Sequence, residues 1–531
     1  MARPHSTQIK SSTIILPTPY ILSPTGRWDG DDGTWSTFTI AVGSPPQPFR
    51  ILPATTGDVI LLPFPPGCSG QLLENVSDCG ELRGVDFFEG IPSRGFQSNK
   101  SKTWDGAPDN PYLLDLERNL FINTAVYGTD TVTLKGATID ASNQSLTKQT
   151  VALITTADFW LGSLGLGISS TDLMPDSSTP SLLETLKAQN IIPSLAYGYT
   201  AGQSYQSPGV LGSLIFGGYD EARLAVDPIP INVPFDVTAA HGLRLTITSL
   251  TASNTLQGYA LQQFIAYPIT VNVDSAVSQL WLPSNICDKI SSAFNLTYIE
   301  DGNYYIVNET THRALKDNSP VFTFEVGSPS GASSIQITIP YSAFDLNLTL
   351  PLAINSIPYF PLRKAANSSQ FTLGRAFLQE AYLVVNWENS TFTIGQAVAQ
   401  DNYTHVISLE NSESQPVAAS YQNTRTAIIA GVVAVVIVAV AFVIAWWMVS
   451  RFYKRKSKVP TEGFKKKDLQ ERKELDSKQI IQMPGHAVVQ LVGNHWNNRW
   501  SSLSDSCELE AGTTHVSVSS GTPTRTVSPL S

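Results

Sequence analysis

The feature that most constrains this chain is an uninterrupted apolar run, AIIAGVVAVVIVAVAFVIAWWMV, from Ala427 to Val449. A helix of this length can cross a hydrocarbon layer of about 30 Å. A helix of a soluble domain is rarely apolar on every face over such a length, and Trp446 and Trp447 lie where aromatic residues gather at a membrane interface. The run therefore predicts one transmembrane helix at residues 427–449.

Flanking charges and glycosylation motifs indicate the orientation of this helix. Basic residues crowd its C-terminal side, and cytosolic flanks are enriched in Lys and Arg; they are Arg451, Lys454, Arg455, Lys456 and Lys458, against Arg425 alone on the other side. N-x-[ST] sequons occur only before the run, at Asn75, Asn99, Asn143, Asn295, Asn308, Asn347, Asn367, Asn389 and Asn402. We expect a glycosylated ectodomain, extracellular or luminal, on a plasma or secretory-pathway membrane, with a cytosolic C-terminus.

Charge divides the chain at the same place. Residues 1–426 carry 21 Lys and Arg against 36 Asp and Glu, whereas residues 427–531 carry 13 against 8. An acidic ectodomain argues against nucleic acid as a partner. The sequence also lacks an H-E-x-x-H motif, a Cys/His cluster, a phosphate-binding glycine loop and a G-x-S-x-G elbow, so we expect no metal and no cofactor.

Four cysteines, Cys68, Cys79, Cys287 and Cys507, bear on the compartment. Cys507 lies on the predicted cytosolic side and cannot pair with the others in an oxidising compartment. We expect a disulfide between Cys68 and Cys79. Cys287 is then either a buried thiol or a partner in exchange with that bond.

Three segments lie outside the predicted β lobes and the membrane helix. Residues 1–34 form an N-terminal segment with only Ile14-Ile15-Leu16 as an apolar run, which is too short for a signal peptide core. Because the sequons require translocation, we expect this N-terminus to be incomplete. Residues 400–426 are predicted to form a polar stalk, and residues 450–531 a disordered cytosolic tail.

Between Trp35 and Ala399 the chain alternates short β-branched runs with Gly, Pro, Asn and Ser, which predicts an all-β structure. Only Ser181–Asn190 is typical of a helix, with Ser181 and Glu184 as a capping box. Two segments, Ile51–Pro63 and Val271–Pro283, align without gaps at an offset of 220 residues. Related strand–turn–strand units in two lobes are therefore expected, over residues 35–222 and 223–399.

Several runs, in order along the chain, resemble the landmarks of pepsin-type aspartic proteases, over roughly residues 35–400. They are TFTIAVGSPPQPFRIL, FWLGSLGLG, VLGSLIFGGYDEARL, DSAVSQLWLP, IPYSAFDL and FTLGRAFLQEAYLVVNW. The likeness is greatest to a fungal membrane-anchored branch of that family. It implies a bilobal β fold with an interlobe cleft, and it assigns Gly162, Gly165 and Gly167 to tight turns.

The family's reaction requires two carboxylates that share one proton, one from an Asp-Thr/Ser-Gly turn in each lobe. Here the second-lobe position is Asp274, followed by Ser275 and Ala276. The first-lobe position is Ala54 in the ungapped alignment, or Thr55 if one residue is deleted, and neither is a carboxylate. The first active-site motif is therefore degenerate.

Other residues are weighed as accessories to this site. Asp58 is the nearest acid, but four residues along the chain displace its carboxylate too far for shared-proton catalysis, so we interpret it as a turn residue beside Gly57. With its partner acid missing, we interpret Asp274 as a turn acid that holds the lobe interface through hydrogen bonds, in preference to residual catalysis. Tyr112 and Tyr127 are candidates for the family's flap tyrosine, with strand packing as the alternative.

The resemblance and the missing acid together favour an ectodomain without protease activity. We expect it to bind peptide, protein or wall-polymer segments in its cleft, or to scaffold other proteins. The first alternative is an active aspartic endopeptidase that processes cell-surface or wall proteins. The second alternative, compatible with either, is a surface sensor that signals through the tail.

Overall fold

Alternating burial defines the strands of this protein, as in Ser334–Pro340, where Ile335, Ile337 and Ile339 are buried and Ser334, Gln336 and Thr338 are exposed. Branched apolar side chains at every second position suit a strand with one face on the core. The fold is mostly β, as the sequence predicts. The expectation of an all-β chain with one helix is too strict, because two longer helices are also present.

The structure, a computed structural model, describes residues 17–69, 73–106, 112–115, 122–137, 142–157, 159–169, 171–174, 177–235, 242–258, 260–400 and 403–410. These residues belong to one compact unit that spans residues 1–419, and a second unit spans residues 420–531. The predicted membrane helix, the cytosolic tail and Asn402 lie outside the described residues, as does most of the stalk. Among the described residues, no helix is long and apolar enough to cross a membrane.

The first large sheet is built from the N-terminal part of the chain. Its strands lie in the order β2 (Pro24–Asp29), β3 (Trp35–Val42), β4 (Gln47–Ala54), β10 (Gly162–Gly165), β5 (Ile60–Pro63), β9 (Gln144–Ile154), β8 (Ile122–Leu134) and β6 (Asp105–Gly106), with β7 (Tyr112–Asp115) also paired to β8. Most pairs are antiparallel, but β4 with β10 and β5 with β9 are parallel.

The second large sheet comes from the later part of the chain. Its order is β24 (Ser334–Pro340), β23 (Val321–Gly327), β17 (Arg244–Ser253), β19 (Ile269–Val273), β28 (Thr372–Leu373), β20 (Leu280–Leu282) and β27 (Leu362–Lys364), with β18 (Leu261–Gln263) on β17. Here β19 with β28 and β20 with β27 are parallel. Ile51–Pro63 contributes to β4 and β5, with β10 between them, and Val271–Pro283 contributes to β19 and β20, with β28 between them. The internal repeat seen in the sequence is therefore confirmed as a repeated topology.

A third sheet takes strands from both parts of the chain. Its order is β1 (Tyr20–Ile21), β14 (Ser213–Phe216), β13 (Ala196–Thr200), β29 (Ala381–Asn386), β30 (Thr391–Gln396) and β16 (Ile231–Pro234). The central pair, β13 with β29, joins strands from the two halves in antiparallel register. Smaller sheets pair β11 (Thr171–Met174) with β12 (Ser177–Thr179), β15 (Gly218–Asp220) with β31 (Val406–Ser408), and β21 (Thr297–Ile299), β22 (Tyr304–Ile306), β26 (Ile357–Phe360) and β25 (Leu346–Leu348) in that order.

Helices fill the connections, at α1 (Cys79–Leu82), α2 (Leu182–Ala188), α3 (Ser284–Phe294), α4 (Glu309–Asn318) and α5 (Arg375–Leu378). The predicted capping box of α2 is confirmed, since the Oγ of Ser181 accepts from the N–H of Glu184 and the Glu184 carboxylate accepts from the N–H of Ser181. Helices α3 and α4 are missing from the sequence prediction. Helix α3 buries Ile286, Ile290 and Phe294 at a spacing of four residues.

The predicted disulfide is confirmed, whereas Cys507 lies outside the described residues. Cys68 and Cys79 form a disulfide that ties the segment after β5 to the start of α1, with Cα atoms 6.1 Å apart. Cys287 is a free, buried thiol in α3. Its Sγ lies 3.5 Å from the carbonyl oxygens of Leu282 and Arg363, and burial raises the pKa of this thiol to about 12. A thiol in this position is protected from exchange with the disulfide.

Candidate functional site

Two turns, one from each large sheet, are hydrogen-bonded to each other. The first begins at Ala54, the last residue of β4, and continues with Thr55; the second follows β19 and contains Asp274 and Ser275. All four residues are buried. Each turn stands at the carboxyl end of a strand that has a parallel neighbour, which is the local topology that the repeat produces twice.

Thr55 and Ser275 join the turns through reciprocal hydrogen bonds. The N–H of Thr55 donates to the Oγ of Ser275, and the N–H of Ser275 donates to the Oγ1 of Thr55, both at 3.0 Å. The Oγ of Ser275 also donates to the carbonyl oxygen of Pro53, at 2.7 Å. Backbone groups of one half of the chain are thus satisfied by side chains of the other, which holds the two turns in a fixed relationship.

This pairing has the same offset of 220 residues as the ungapped sequence alignment. Thr55 faces Ser275, and the residue before each is Ala54 in one turn and Asp274 in the other. The register with one deleted residue would have placed Thr55 opposite Asp274. The Asp274 carboxylate accepts from the N–H of Ala276 at 2.9 Å, inside its own turn.

Asp58 is held by a different part of the first sheet. Its Oδ1 accepts from the N–H of Ser169, at 3.3 Å. A Cβ placed on Gly167 would lie 2.2 Å from the same oxygen, so the carboxylate rests directly on the backbone that follows β10. The structure therefore brings Asp58 to the segment at residues 167–169.

The glycines of the GSLGLG run lie in a strand and in the segment that follows it. Gly162 and Gly165 lie within β10, so their assignment to tight turns is wrong. A Cβ on Gly165 would meet the carbonyl oxygen of Gly57 at 2.6 Å, and a Cβ on Gly374 would meet that of Gln279 at 2.4 Å. Glycine at these two positions lets a backbone pass directly beneath each turn.

The two tyrosines proposed for the flap occupy neighbouring strands. Tyr112 lies in β7 opposite Ala125 of β8, and Tyr127 lies in β8 opposite Ala152 of β9. Residues 116–121, which connect β7 to β8, lie outside the described residues. Tyr127 packs against a small apolar cluster that includes Phe159, and burial raises the pKa of its hydroxyl. This environment matches the strand-packing interpretation of Tyr127.

Sequence reasoning missed Tyr197, which supports the first turn from the third sheet. Tyr197 is fully buried in β13, and its hydroxyl donates to the carbonyl oxygen of Thr55 at 2.7 Å. Burial, and after it the charge of Asp274, raises the pKa of this hydroxyl well above its usual value. No motif marks Tyr197 in the sequence, because its role depends on a contact 142 residues away.

Sequence reasoning also missed Arg375, which supports the second turn from α5. Its Nη1 donates to the carbonyl oxygen of Ser275 at 2.7 Å and to that of Ala276 at 3.3 Å. Its Nη2 lies 3.6 Å from the Asp32 carboxylate, and its guanidinium stacks 4.9 Å from the ring centre of Trp35. Asp32 also accepts from the indole N–H of Trp35 and the hydroxyl of Ser278. A buried cation therefore backs the turn that carries Asp274.

Comparisons with known proteins identify relatives of this chain. A model of the eukaryotic aspartyl protease family matches residues 122–397, a range that includes Asp274 and begins after Ala54. Barrierpepsin of Saccharomyces cerevisiae is 25% identical over 312 residues, 57% of this chain and 49% of that protein. Candidapepsin-1 of Candida albicans is 26% identical over 366 residues, 67% of this chain and 80% of that protein. Secreted aspartic protease 8 of the same organism is 27% identical over 269 residues, 50% of this chain and 55% of that protein. The chain thus spans about half the length of two of these relatives.

Proposed function

This chain belongs to the eukaryotic aspartyl protease family, and from that premise we propose that it is a membrane-anchored member that binds extended peptide or wall-polymer segments without cleaving them. Residues 35–222 and 223–399 form the two lobes, and the ligand lies in the cleft between them. The observation that best supports this proposal is the pair of hydrogen bonds between Thr55 and Ser275. These bonds support Ala54 as the residue of the first turn that is equivalent to Asp274 in the second.

An alanine at position 54 removes one of the two acids that peptide cleavage would need. An aspartic protease uses one carboxyl group to take a proton from water and the other to donate to the scissile carbonyl. The methyl group of Ala54 can do neither. Asp274 alone cannot hold the water and protonate the carbonyl at once, so the expected outcome of substrate binding is retention rather than cleavage.

Asp58 is a poor substitute for the missing acid. Its Oδ1 is engaged by the N–H of Ser169, beside Gly167. Recruitment would require the carboxylate to leave that backbone and cross to the turn, and a misplacement of about 1 Å already costs dyad-type chemistry about a hundredfold in rate. The turn-residue interpretation of Asp58 is therefore retained.

Exposure of the sequons supports a glycosylated ectodomain outside the cytosol. Every sequon asparagine in the described part of the chain has an exposed side chain; these are Asn75, Asn99, Asn143, Asn295, Asn308, Asn347, Asn367 and Asn389. An attached glycan needs such a position. One relative is named as a secreted protease, which is consistent with an extracellular or luminal ectodomain. The apolar run at residues 427–449 supplies the proposed membrane anchor.

The test uses the full-length chain, purified in detergent at acidic pH. A peptide library is first assayed for cleavage, and the same peptides are then assayed for retention on immobilised protein. We expect retention and no cleavage, both for the natural chain and for Asp274→Ala. Cleavage that disappears in Asp274→Ala would instead establish the rival function, an active endopeptidase that processes surface or wall proteins.

A further inference from the structure

Glu380 is a buried carboxyl group at a junction of three parts of the fold, outside the candidate site. It lies between α5 and β29, and its side chain accepts three hydrogen bonds. Gln203 Nε2 donates to its Oε1 at 2.8 Å, the Tyr205 hydroxyl donates to the same oxygen, and Gln396 Nε2 donates to Oε2 at 3.2 Å. The residue is 5% exposed, so water contributes little to its solvation.

The donors connect separate elements through this one carboxyl. Gln203 and Tyr205 belong to the segment between β13 and β14, whereas Gln396 ends β30. Gln396 also exchanges two hydrogen bonds with the backbone of Thr338 in β24, at 2.8 and 3.2 Å. Glu380 therefore links a loop of the third sheet to the edge strand of the second large sheet.

Glu380 is not part of an ion pair among the described residues. In the described part of the chain, all three side-chain donors to Glu380 are uncharged. The cations on neighbouring elements are engaged elsewhere, since Arg223 Nη2 donates to the carbonyl oxygen of Leu211 and Arg375 binds the Asp274 turn. Burial raises the pKa of the Glu380 carboxyl to about 7, and the three donors oppose that rise only in part. Below that pH a bound proton neutralises the carboxylate, since its three side-chain donors carry no charge.

We propose that Glu380 is a proton-operated junction, which holds the segment at residues 203–210 against β30 and β24 in acidic surroundings and releases it as the surroundings become neutral. A proton taken from solvent binds Oε2 and leaves a neutral carboxylic acid, whose Oε1 still accepts from Gln203 and from the Tyr205 hydroxyl. Loss of that proton leaves a buried negative charge, which favours local opening towards water.

The sign follows from proton linkage. The closed junction binds its proton more tightly than an open one, in which a glutamate has an ordinary pKa of about 4.3. Its contribution to stability is therefore present in acid and is lost as the pH rises through about 7. Ser204 belongs to the same segment, and its Oγ lies 2.7 Å from the Oγ1 of Thr34. Thr34 is two residues after Asp32, the carboxylate that pairs with Arg375. Opening of the segment at residues 203–210 can thus disturb Arg375, which supports the turn that contains Asp274.

Amide hydrogen exchange of the full-length chain in detergent, between pH 5 and pH 8, tests this proposal after correction for the intrinsic exchange rate. The informative amides are Gln203 and Val210, which bond to each other's carbonyl oxygens, and Thr338, which donates to Gln396. We expect their protection to fall roughly tenfold or more over this range. In Glu380→Gln the fall should vanish, whereas the control Glu300→Gln, at an exposed turn, should retain it.

A second variant keeps the proposal testable if Glu380→Gln does not fold. Tyr205→Phe preserves the ring but removes a donor to the carboxylate, so the midpoint of the transition should move to higher pH. Protection that is independent of pH in the natural chain would overturn the proposal. So would a transition that persists in a folded Glu380→Gln, or a midpoint that moves to lower pH in Tyr205→Phe.

Discussion

Thr55 and Ser275 satisfy each other's backbone N–H groups through their side-chain oxygens, across 220 residues of sequence. Ala54 and Asp274 precede these two residues, so the contact between the turns is present with an acid at only one of the two positions. The contact that holds the two turns together is therefore separable from the identity of the residues that precede it.

The first prediction concerns this cross-link. Thr55→Val keeps the shape of the side chain but leaves the buried N–H of Ser275 without its acceptor, so the free energy of unfolding should fall by about 1–3 kcal/mol. Ser275→Ala should cost more, because its hydroxyl also donates to Pro53. Chemical denaturation measures both. Thr270→Val, at an exposed position of β19, is the matched control and should change the free energy of unfolding by less than about 0.5 kcal/mol.

The second prediction concerns Arg375, whose guanidinium joins the Asp274 turn to Asp32 and Trp35. Arg375→Met removes the cation and leaves the largely buried Asp32 carboxylate uncompensated, a change that typically costs about 3–5 kcal/mol. Asp32→Asn in the same chain should recover part of this loss. Unfolding free energies of the two single variants and the double variant give the coupling directly, and strictly additive losses would show that the two side chains do not interact.

The third prediction concerns Asp31, a buried carboxyl beside Asp32. Burial, and after it the charge of Asp32, raises the pKa of Asp31 well above its usual range. The folded chain therefore binds a proton that the unfolded chain releases, and the stability linked to Asp31 falls as the pH rises above about 4. Asp31→Asn removes this dependence.

At pH 7.5 Asp31→Asn should gain more than about 1 kcal/mol of unfolding free energy, because one pKa unit corresponds to about 1.4 kcal/mol. Near pH 3 the two chains should differ little. Asp301→Asn, in an exposed turn, serves as the control. Equal stabilisation at both pH values would mean that the gain arises from packing and not from a proton.

Much of this molecule could be predicted from local sequence. The strand pattern, the capping box of Ser181 and the offset between Ala54 and Asp274 all depend on residues within a few positions of each other, or on one alignment. Helix α3 was missed because Pro283 and β-like neighbours precede a helix whose apolar face is decided by packing. The supports at Tyr197 and Arg375 were missed for a related reason: each is an isolated residue whose partner is about 100 residues or more away.

The last prediction restores the missing acid. Ala54→Asp places a carboxyl at the position opposite Asp274, and general acid–base assistance is typically worth about 10² to 10⁴ in rate. The single change faces a steric obstacle, because Thr56 and Ala276 stand where the family has glycines that let the turns approach closely. The sharper variant combines Ala54→Asp, Thr56→Gly and Ala276→Gly in the full-length chain.

Cleavage between large apolar residues is then measured at acidic pH, with and without a statine-type inhibitor. The triple variant should cleave, the inhibitor should abolish that activity, and the same variant with Asp274→Asn should be inactive. The Thr55–Ser275 bonds already join the two turns, so the variant changes the residues around this contact and leaves the contact itself in place. A folded triple variant without inhibitor-sensitive cleavage would contradict the proposal that the lack of a second carboxylate is what prevents cleavage.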